Sequence, residues 1–582
     1  MNADQAAPKI ELDNKAKYSI VSLALVMVLF FAVLLIIYSN QLMIAPEVAL
    51  DLEAAKLIVL GKIPYGDFFS LSSPVALYSA QVPALVSKVT YFPASLVSNQ
   101  IAFVFSLFSV LGSAAILLPR RHHREWHYFP LLVVALALAN VLMLFQLGQK
   151  EHLAMIAAIP YFLIRWLRWN GRKITRVEAV ATGVFAGFAS CLWYPFLLMG
   201  ISLEFYWLLS LRRLRPLLGL EVRVAICTAA MCLLSLLLLP EVARDNYFSL
   251  VCPLLSLGYQ CHDWSVYGSG SVPERRDIFY VAIAAILFVL PFRNRTTLAG
   301  PVVVLFLVGF ALYLWQLKGL SQSTIPMIFA TSILLAIDLG IAISLAHKLT
   351  GKASQLKIFG ARAGTSLSTS RLRIWKHSIL GTASLSVFVL IVLGFSGIFL
   401  TAQVGKICRS VPEAQYWAGG LAAPVAKVNT GETDKLSSCA AWLNEFSHKG
   451  DEVLFLTDGL LPGYPLMLQM NRRPSGYLLQ SDCLIELEAC ERESLQPKKF
   501  EEYAEKLYSH LNQDIASKRA KIIFVQNFTV GDLLKKHKVD ETLHKYYELK
   551  GHTQIKTANE EPVERTGFNY KIGVFVPRSQ PL

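Results

Sequence analysis

Residues 18–39 read YSIVSLALVMVLFFAVLLIIYS, and no charged side chain occurs between Lys17 and Glu47. A run of this length without a charge is long enough for one helix across the hydrocarbon core of a bilayer. A cleavable signal peptide has a shorter apolar core and a small-residue cleavage site, so we expect this first span to remain in the protein. The polar residues 1–18 are then a cytoplasmic tail.

Apolar runs continue to residue 402, where the composition changes. The 582-residue chain is 54% hydrophobic and 16% charged, which is outside the usual range of soluble domains. We therefore predict a polytopic α-helical membrane protein with a transmembrane domain over residues 19–402 and about eleven spans. The predicted spans are 19–39, 95–118, 128–145, 152–168, 177–193, 195–211, 222–240, 277–292, 298–316, 325–345 and 378–401.

Residues 403–582 have ordinary charge density, and helix-like segments alternate there with strand-like segments. This alternation predicts a small C-terminal α/β domain with a short sheet. No glycine-rich phosphate loop follows any predicted strand. Helices are predicted near 433–447, 499–518 and 531–547, and strands at 453–457, 522–525 and 572–576.

The net charge of +14 is compatible with nucleic-acid binding, but its distribution argues against that function class. Basic residues cluster in short loops between apolar runs, and positive residues are retained on the cytoplasmic side during membrane insertion. If residues 74–91 lie in the interface instead of spanning, every basic loop falls inside when the N-terminus is cytoplasmic. Residues 40–94 then form an external loop, and residues 403–582 are extracytoplasmic, in a multi-pass protein of the plasma (inner) membrane. The basic loops hold Arg120, Arg121 and Arg124; Arg168, Arg172, Lys173 and Arg176; Arg212, Arg213 and Arg215; Arg293 and Arg295; and the basic residues of 346–377.

Six cysteines fall in segments predicted to be outside, where an oxidising compartment permits disulfides. Sequence does not fix the pairing, but we favour Cys483–Cys490 and Cys408–Cys439; the other two are Cys252 and Cys261. No CxxC pair or His/Cys cluster has metal-ligand spacing, so no zinc site is predicted. No cofactor is predicted either, and a divalent metal is left open.

The external loop contains the most informative polar residues, in the stretch APEVALDLEAAKLIVLGKIPYGDFFSLSSPVALY at residues 45–78. Glu47 and Asp51 are four residues apart and share a face if this segment is helical. Gly61 is expected to end that helix, and residues 64–67 are expected to form a turn. Acids on an external loop are usually only solvated, so periodicity alone does not assign them a function.

The whole stretch resembles the first external loop of the GT-C superfamily, membrane glycosyltransferases that use polyprenyl-phosphate-linked donors, and in particular the bacterial aminoarabinose and mannosyl transferases. The matching features are Glu47, the helix to Gly61, Pro64, Tyr65, Asp67, Phe68, Pro74 and Tyr78. The family position nearest the membrane is usually Asp and is the expected catalytic base. Spacing from Gly61 places Glu47 there, so Asp51, one turn later, remains a competitor for that role.

Two shorter segments extend the resemblance. Residues 146–152 look like the second external loop of related transferases, where an acid or His faces the same cavity; the alternative is ordinary interfacial polarity. Gln316 and Lys318 are similar to a segment that contacts the donor phosphate, although Lys318 is equally compatible with a snorkelling anchor. The resemblance therefore implies a substrate-binding set of Lys56, Tyr65, Asp67, Lys150, Glu151, His152, Gln316 and Lys318.

The resemblance implies inverting transfer of a sugar from a polyprenyl-phosphate donor to an extracytoplasmic glycan, lipid or protein. A lipid phosphate leaving group needs cations, for which Lys318, Lys150 and Lys56 are candidates, and the acceptor hydroxyl needs a carboxylate base. One alternative is a transporter or flippase for lipid-linked glycans. Such proteins usually place charged groups mid-membrane, and Asp338 is the main acid of this kind. The other alternative is a non-catalytic membrane assembly protein.

Overall fold

A computed structural model of the protein describes most of the chain. The described residues are 7–40, 44–120, 123, 125–258, 276–292, 296–316, 324–362, 434–493, 497–527, 529–555 and 570–579. Before residue 363 all the longer elements are helices, which is consistent with the need of a chain in lipid to satisfy its backbone internally. They are α1 (Ala7–Asn40), α2 (Pro46–Val59), α3 (Pro74–Thr90), α4 (Ala94–Leu117), α5 (Phe129–Leu142), α6 (Lys150–Trp169), α7 (Arg176–Leu192), α8 (Pro195–Leu211), α9 (Leu220–Ser235), α10 (Glu241–Asn246), α11 (Cys252–Gly258), α12 (Arg276–Val289), α13 (Ala299–Gln316) and α14 (Ile325–Arg362).

Several of these helices are suited to a bilayer. In the described part of the chain, four segments are long and apolar enough to cross one: Ala16–Leu35, Ala94–Leu117, Leu220–Leu238 and Ile325–Ser344. Four shorter apolar helices accompany them, at Phe129–Leu142, Pro195–Leu211, Ile278–Phe292 and Ala299–Leu314. The protein is therefore a polytopic helical membrane protein. The count of eleven spans stays a prediction, and the predicted span 378–401 lies outside the described residues.

A buried ionic network fixes the ends of α6, α8 and α9. The Arg165 guanidinium, which is 1% exposed, donates to both carboxylate oxygens of Glu204 at 2.6 Å. It also donates to Glu221 at 2.7 Å, and Arg168 donates to the same carboxylate at 2.9 Å. Because loss of one partner would leave a charge buried without compensation, the network holds the three helices together. It lies at the end of α6 that was predicted to be cytoplasmic.

Helices α7 and α9 approach closely through small residues. A Cβ atom on Gly183 would lie 2.6 Å from the carbonyl oxygen of Glu221, and one on Gly187 would lie 2.5 Å from that of Ala225. Both distances are far inside van der Waals contact, so only glycine fits at these two positions of α7. Close packing of small residues is a usual way of associating helices in lipid. It joins α9 firmly to α7, which matters below because both helices line a cavity.

The C-terminal region contains a five-stranded mixed sheet. Its strands are β1 (Glu452–Leu456), β2 (Arg473–Pro474), β3 (Ile522–Gln526), β4 (Tyr547–Ile555) and β5 (Tyr570–Pro577), in the order β2-β1-β3-β5-β4. β1 is parallel to β2 and β3, whereas β5 is antiparallel to β3 and β4. The strands β1 and β3 are almost wholly buried, as expected of parallel strands covered on both faces. The helices are α15 (Asp434–Phe446), α16 (Gly463–Gln469), α17 (Asp482–Glu493), α18 (Pro497–Ala516), α19 (Thr529–Lys536) and α20 (Val539–Tyr546).

Two sequence-based expectations about this region need correction. The predicted helix 531–547 is two helices, because Lys538 between them has a left-handed backbone with φ of 58°. In the described part of the chain Cys439 and Cys483 are both buried free thiols, which does not fit the favoured disulfides. Their expected partners, Cys408 and the side chain of Cys490, lie outside the described residues. Burial alone accounts for Cys439 and Cys483, which pack as small apolar side chains.

The C-terminal region contacts the membrane part through the external loop. The backbone of Phe69 pairs with the segment after β2: its N–H donates to the Tyr477 carbonyl at 2.6 Å, and its carbonyl accepts from Leu479 N–H at 3.2 Å. Helix α16 also packs against α2. The acid-bearing helix α2 is therefore in contact both with the bundle and with the C-terminal region.

Candidate active site

The acids of the external loop are presented by a well-defined helix. Pro46 stands in the first turn of α2, where its missing N–H costs nothing. Gly61 follows the helix with φ of +89°, a conformation that favours glycine, and so ends it as the sequence predicted. The following turn is closed by Asp67, whose carboxylate accepts from Ile63 N–H at 2.8 Å. Glu47 and Asp51 thus lie one turn apart on a rigid element.

A large apolar cavity of about 770 Å³ lies beside α2. It is enclosed by α2, α3, α4, α6, α7 and the end of α9. Several of its lining residues are also exposed on the outer surface of the bundle, including Phe105 at 45% and Leu238 at 86%. Exposed large apolar side chains of a membrane helix face lipid, so the cavity opens toward the hydrocarbon region. A ligand with an apolar chain would enter there without first crossing water.

Two charged groups stand in this apolar wall. Among the described residues that line the cavity, Asp51 is the sole carboxylate and Lys150 the sole ammonium. The Ser72 hydroxyl donates to Asp51 Oδ1. Burial raises the pKa of Asp51 to about 6, against the lowering effects of the Ser72 hydrogen bond and the Lys150 charge, and nearby Glu47 raises it further. A carboxylate with this pKa is a better base than an ordinary one and is still ionised at neutral pH.

Glu47 is placed differently from Asp51. Its carboxylate accepts a hydrogen bond from Gln149 Nε2 at 3.0 Å, and it does not line the cavity. The two acids predicted as competing bases therefore have different surroundings. Asp51 faces the cavity, whereas Glu47 joins α2 to the turn before α6.

The residues of the second predicted loop point in different directions because they begin helix α6. Lys150, Leu153 and Ala157 follow one face of α6 and line the cavity. Glu151 is buried next to them, close enough for its charge to interact with those of Lys150, Glu47 and Asp51. His152 is fully buried, does not line the cavity, and its ring nitrogens have no hydrogen-bond partner among the described residues. Of this predicted set, the structure brings Lys150 and Glu151 to the site.

The other predicted binding residues lie elsewhere. Lys56 forms an ion pair with buried Glu53 at 2.8 Å. Asp67 is exposed and closes its own turn, and Tyr65 is completely buried between the loop and its neighbours. None of these three lines the cavity. The Gln316 side chain and Lys318 lie outside the described residues.

Two residues of the site had no assigned role in the sequence. Ser72 holds the Asp51 carboxylate, and Gln149 holds that of Glu47. Ser72 and Ser73 precede Pro74 and resemble helix-capping residues; Ser73 indeed accepts from Ala76 N–H as the N-cap of α3. Nothing in the sequence separates the capping serine from the one that contacts Asp51. In the described part of the chain, no group of three or more His, Cys, Asp or Glu side chains is placed to hold a metal ion.

The site thus belongs to a helical membrane protein with a lipid-facing apolar cavity that carries a carboxylate and an ammonium. No family model and no curated protein sequence matches the chain.

Two solved structures resemble the chain at low similarity. The crystal structure of ArnT from Cupriavidus metallidurans bound to undecaprenyl phosphate has a TM-score of 0.44 and 12% identity, covering 96% of this chain and 97% of that one. The cryo-EM structure of the arabinofuranosyltransferase AftD from Mycobacteria has a TM-score of 0.37 and 13% identity, covering 95% of this chain and 39% of that one. At these TM-scores and identities, the function has to be inferred from the residues of this chain.

Proposed function

We propose that this protein is a GT-C-type membrane glycosyltransferase. In this proposal it transfers a sugar, with inversion, from a polyprenyl-phosphate-linked donor to an extracytoplasmic glycan, lipid or protein. The proposal rests on the lipid-facing apolar cavity, which has Asp51 and Lys150 in its wall. An isoprenoid chain matches the apolar lining, and a phosphate matches a cation at its edge.

The chemistry follows from these two groups. The acceptor hydroxyl loses its proton to the Asp51 carboxylate as its oxygen forms a bond to the anomeric carbon. The bond from that carbon to the phosphate oxygen breaks, and polyprenyl phosphate leaves with the electron pair. Lys150 balances the negative charge that grows on the leaving phosphate. Attack opposite to the leaving group inverts the anomeric configuration.

The proposed orientation places the N-terminus in the cytoplasm and the external loop 40–94 outside. The C-terminal region contacts that loop at Phe69, so it shares the side of the loop in this arrangement. It is therefore proposed to be extracytoplasmic, with the basic loops inside. The acceptor would reach Asp51 from the aqueous side, and the donor lipid from the bilayer.

A transfer assay with a cavity-filling variant tests the function. Membranes of a deletion strain are expected to accumulate the lipid-linked sugar, and vesicles made from them supply both substrates. Purified protein should convert that lipid to polyprenyl phosphate, measured by mass spectrometry. Ala80→Trp fills the cavity from α3 and should lower the rate at least about tenfold, since added bulk in a lined cavity displaces the ligand.

The matched control is Ala230→Trp, the same change on the exposed face of α9 outside the cavity lining. It should keep the wild-type rate. A protein that binds the lipid-linked sugar and moves it across the vesicle membrane without releasing polyprenyl phosphate would contradict the transferase and support a flippase.

The rate of transfer should also depend on pH through Asp51. A base must be ionised to accept a proton, and the pKa of Asp51 is raised to about 6. The rate should therefore be level at neutral pH and fall about tenfold for each pH unit below 6. This fall is the acidic limb of the pH–rate profile, and initial rates between about pH 4.5 and pH 8 measure it. Size-exclusion profiles at each pH serve as a control for folding. A rate that stays level down to about pH 4.5 would contradict a base with a raised pKa.

A further inference from the structure

The external loop between α2 and α3 is held by the C-terminal region at one particular residue. Tyr65 has a left-handed backbone with φ of 62°, and its side chain is completely buried. Its carbonyl accepts two hydrogen bonds, from the Tyr477 hydroxyl at 3.0 Å and from Asn246 Nδ2 at 2.9 Å. The Tyr65 ring packs on that of Tyr247, with centroids 5.3 Å apart. A strained backbone of this kind persists only where its surroundings fix it.

The hydroxyl of Tyr65 continues the contact toward the cavity. It donates to the Ser72 carbonyl at 2.6 Å, and the Ser72 hydroxyl donates to Asp51. Three hydrogen bonds therefore connect Tyr477 of the C-terminal region, through Tyr65 and Ser72, to the cavity carboxylate. The nearby backbone pairing of Phe69 with residues 477 and 479 keeps the loop in register with the C-terminal region.

We propose that the C-terminal region is a working part of the transfer site, with Ser72 and Tyr477 as positioning residues that hold Asp51 oriented and ionised. This inference rests on the proposed function, in which Asp51 is the base. The physical reason is that a hydroxyl donating to a carboxylate favours its charged form and fixes its rotamer. The hydroxyl has this effect only while the loop that carries it is held in place.

Other titratable groups also surround Asp51, so the test must separate their effect from that of Ser72. Those close enough to interact with it are Glu47 on its own helix, Lys150 and Glu151 on α6, and Tyr65 in the loop. A change at Ser72 or Tyr477 removes none of these four titratable side chains. A shift in the pH profile of those variants would therefore show the effect of the hydrogen bonds that connect Tyr477 to Asp51.

Ser72→Ala should move the acidic limb of the rate profile upward by about one pH unit, because the lost hydrogen bond stabilises the carboxylate. The rate should fall severalfold more at pH 6 than at pH 8, while the apparent KM for the vesicle donor changes little. Ser72→Thr restores the hydroxyl and should restore the profile. A merely structural role for Ser72 would lower the rate equally at every pH.

Tyr477→Phe should shift the same limb in the same direction, by less than Ser72→Ala. Phenylalanine keeps the stacking on His510, whose ring centroid is 4.3 Å away, and the backbone bond to Asp514 at 2.7 Å. The matched control is Tyr503→Phe, which removes another tyrosine-to-carbonyl hydrogen bond between the C-terminal region and the membrane part, to Ser249. That bond does not lead to Asp51, so the control profile should superimpose on the wild type.

Full-length variants in the transfer assay decide the outcome. If the hydrogen bonds from Tyr477 to Asp51 act as a unit, the double variant Ser72→Ala/Tyr477→Phe should shift the acidic limb of the rate profile no further than Ser72→Ala alone. If Asp51→Asn is inactive but Ser72→Ala and Tyr477→Phe keep the wild-type profile, the positioning role is overturned and the proposed function stands. If Asp51→Asn transfers sugar at the wild-type rate, Asp51 is not the base and the positioning role falls with it, while the transferase function stands. If the wild-type protein releases no polyprenyl phosphate, the proposed function itself is overturned.

Discussion

Replacing Asp51 by asparagine is expected to lower the rate of sugar transfer by about a thousandfold, the usual contribution of a general base. Asparagine has nearly the same size and still accepts the Ser72 hydrogen bond, so the helix and the loop should stay folded. It cannot accept the proton of the acceptor hydroxyl. Release of polyprenyl phosphate from deletion-strain vesicles measures the effect, and the size-exclusion profile in detergent monitors folding.

Glu47→Gln is the matched comparison because it makes the same chemical change one turn earlier on α2. Glu47 is bonded to Gln149 and lies outside the cavity lining, so its variant should lose less than about tenfold. The opposite ranking, with Glu47→Gln inactive and Asp51→Asn near the wild-type rate, would make Glu47 the base. It would also show that the bound state rearranges the start of α2.

The sequence was sufficient for α2 but not for the choice between its two acids. Glycine after the end of a helix is a local signal, and Gly61 ends α2 where it was expected. Four-residue spacing puts Glu47 and Asp51 on one face of any helix. Which of them meets a cavity depends on α6, about a hundred residues away, through Gln149 and Lys150. No local pattern contains that information.

The same limit applies to residues 150–152. As a string they read as one polar loop, and all three were expected to bind substrate. In the structure they begin α6, and successive residues of a helix point about 100° apart, so Lys150 lines the cavity while His152 is buried away from it. Without knowing that the helix starts at Lys150, the sequence cannot assign these directions.

In the C-terminal region the buried strands were predictable and the edge strand was not. β1 and β3 are continuous apolar runs, which is typical of strands buried on both faces. β4 has the mixed sequence YELKGHTQI, and its pairing with β5 has a register shift near Gly551. This sequence lacks the continuous apolar run of a buried strand, so no strand was predicted there.

Replacing Lys150 by methionine is expected to lower the transfer rate by about a hundredfold, which is typical of losing one charge that stabilises a transition state. Methionine keeps most of the side-chain length and removes only the ammonium. Because the Lys150 charge also lowers the pKa of Asp51, the variant should shift the acidic limb upward as well. The rate should therefore be compared at about pH 8, where Asp51 is ionised in both proteins.

Two further variants separate charge from geometry in this prediction. Lys150→Arg keeps the cation and should recover much of the rate at pH 8, although its planar group contacts phosphate differently. Lys62→Met removes an exposed ammonium from the external loop that carries Asp51, outside the cavity lining, and should transfer like the wild type. Equal losses for Lys150→Met and Lys62→Met would mean that the rate depends on the overall positive potential around the site. A loss confined to Lys150→Met would place the leaving phosphate at the cavity edge, beside Asp51.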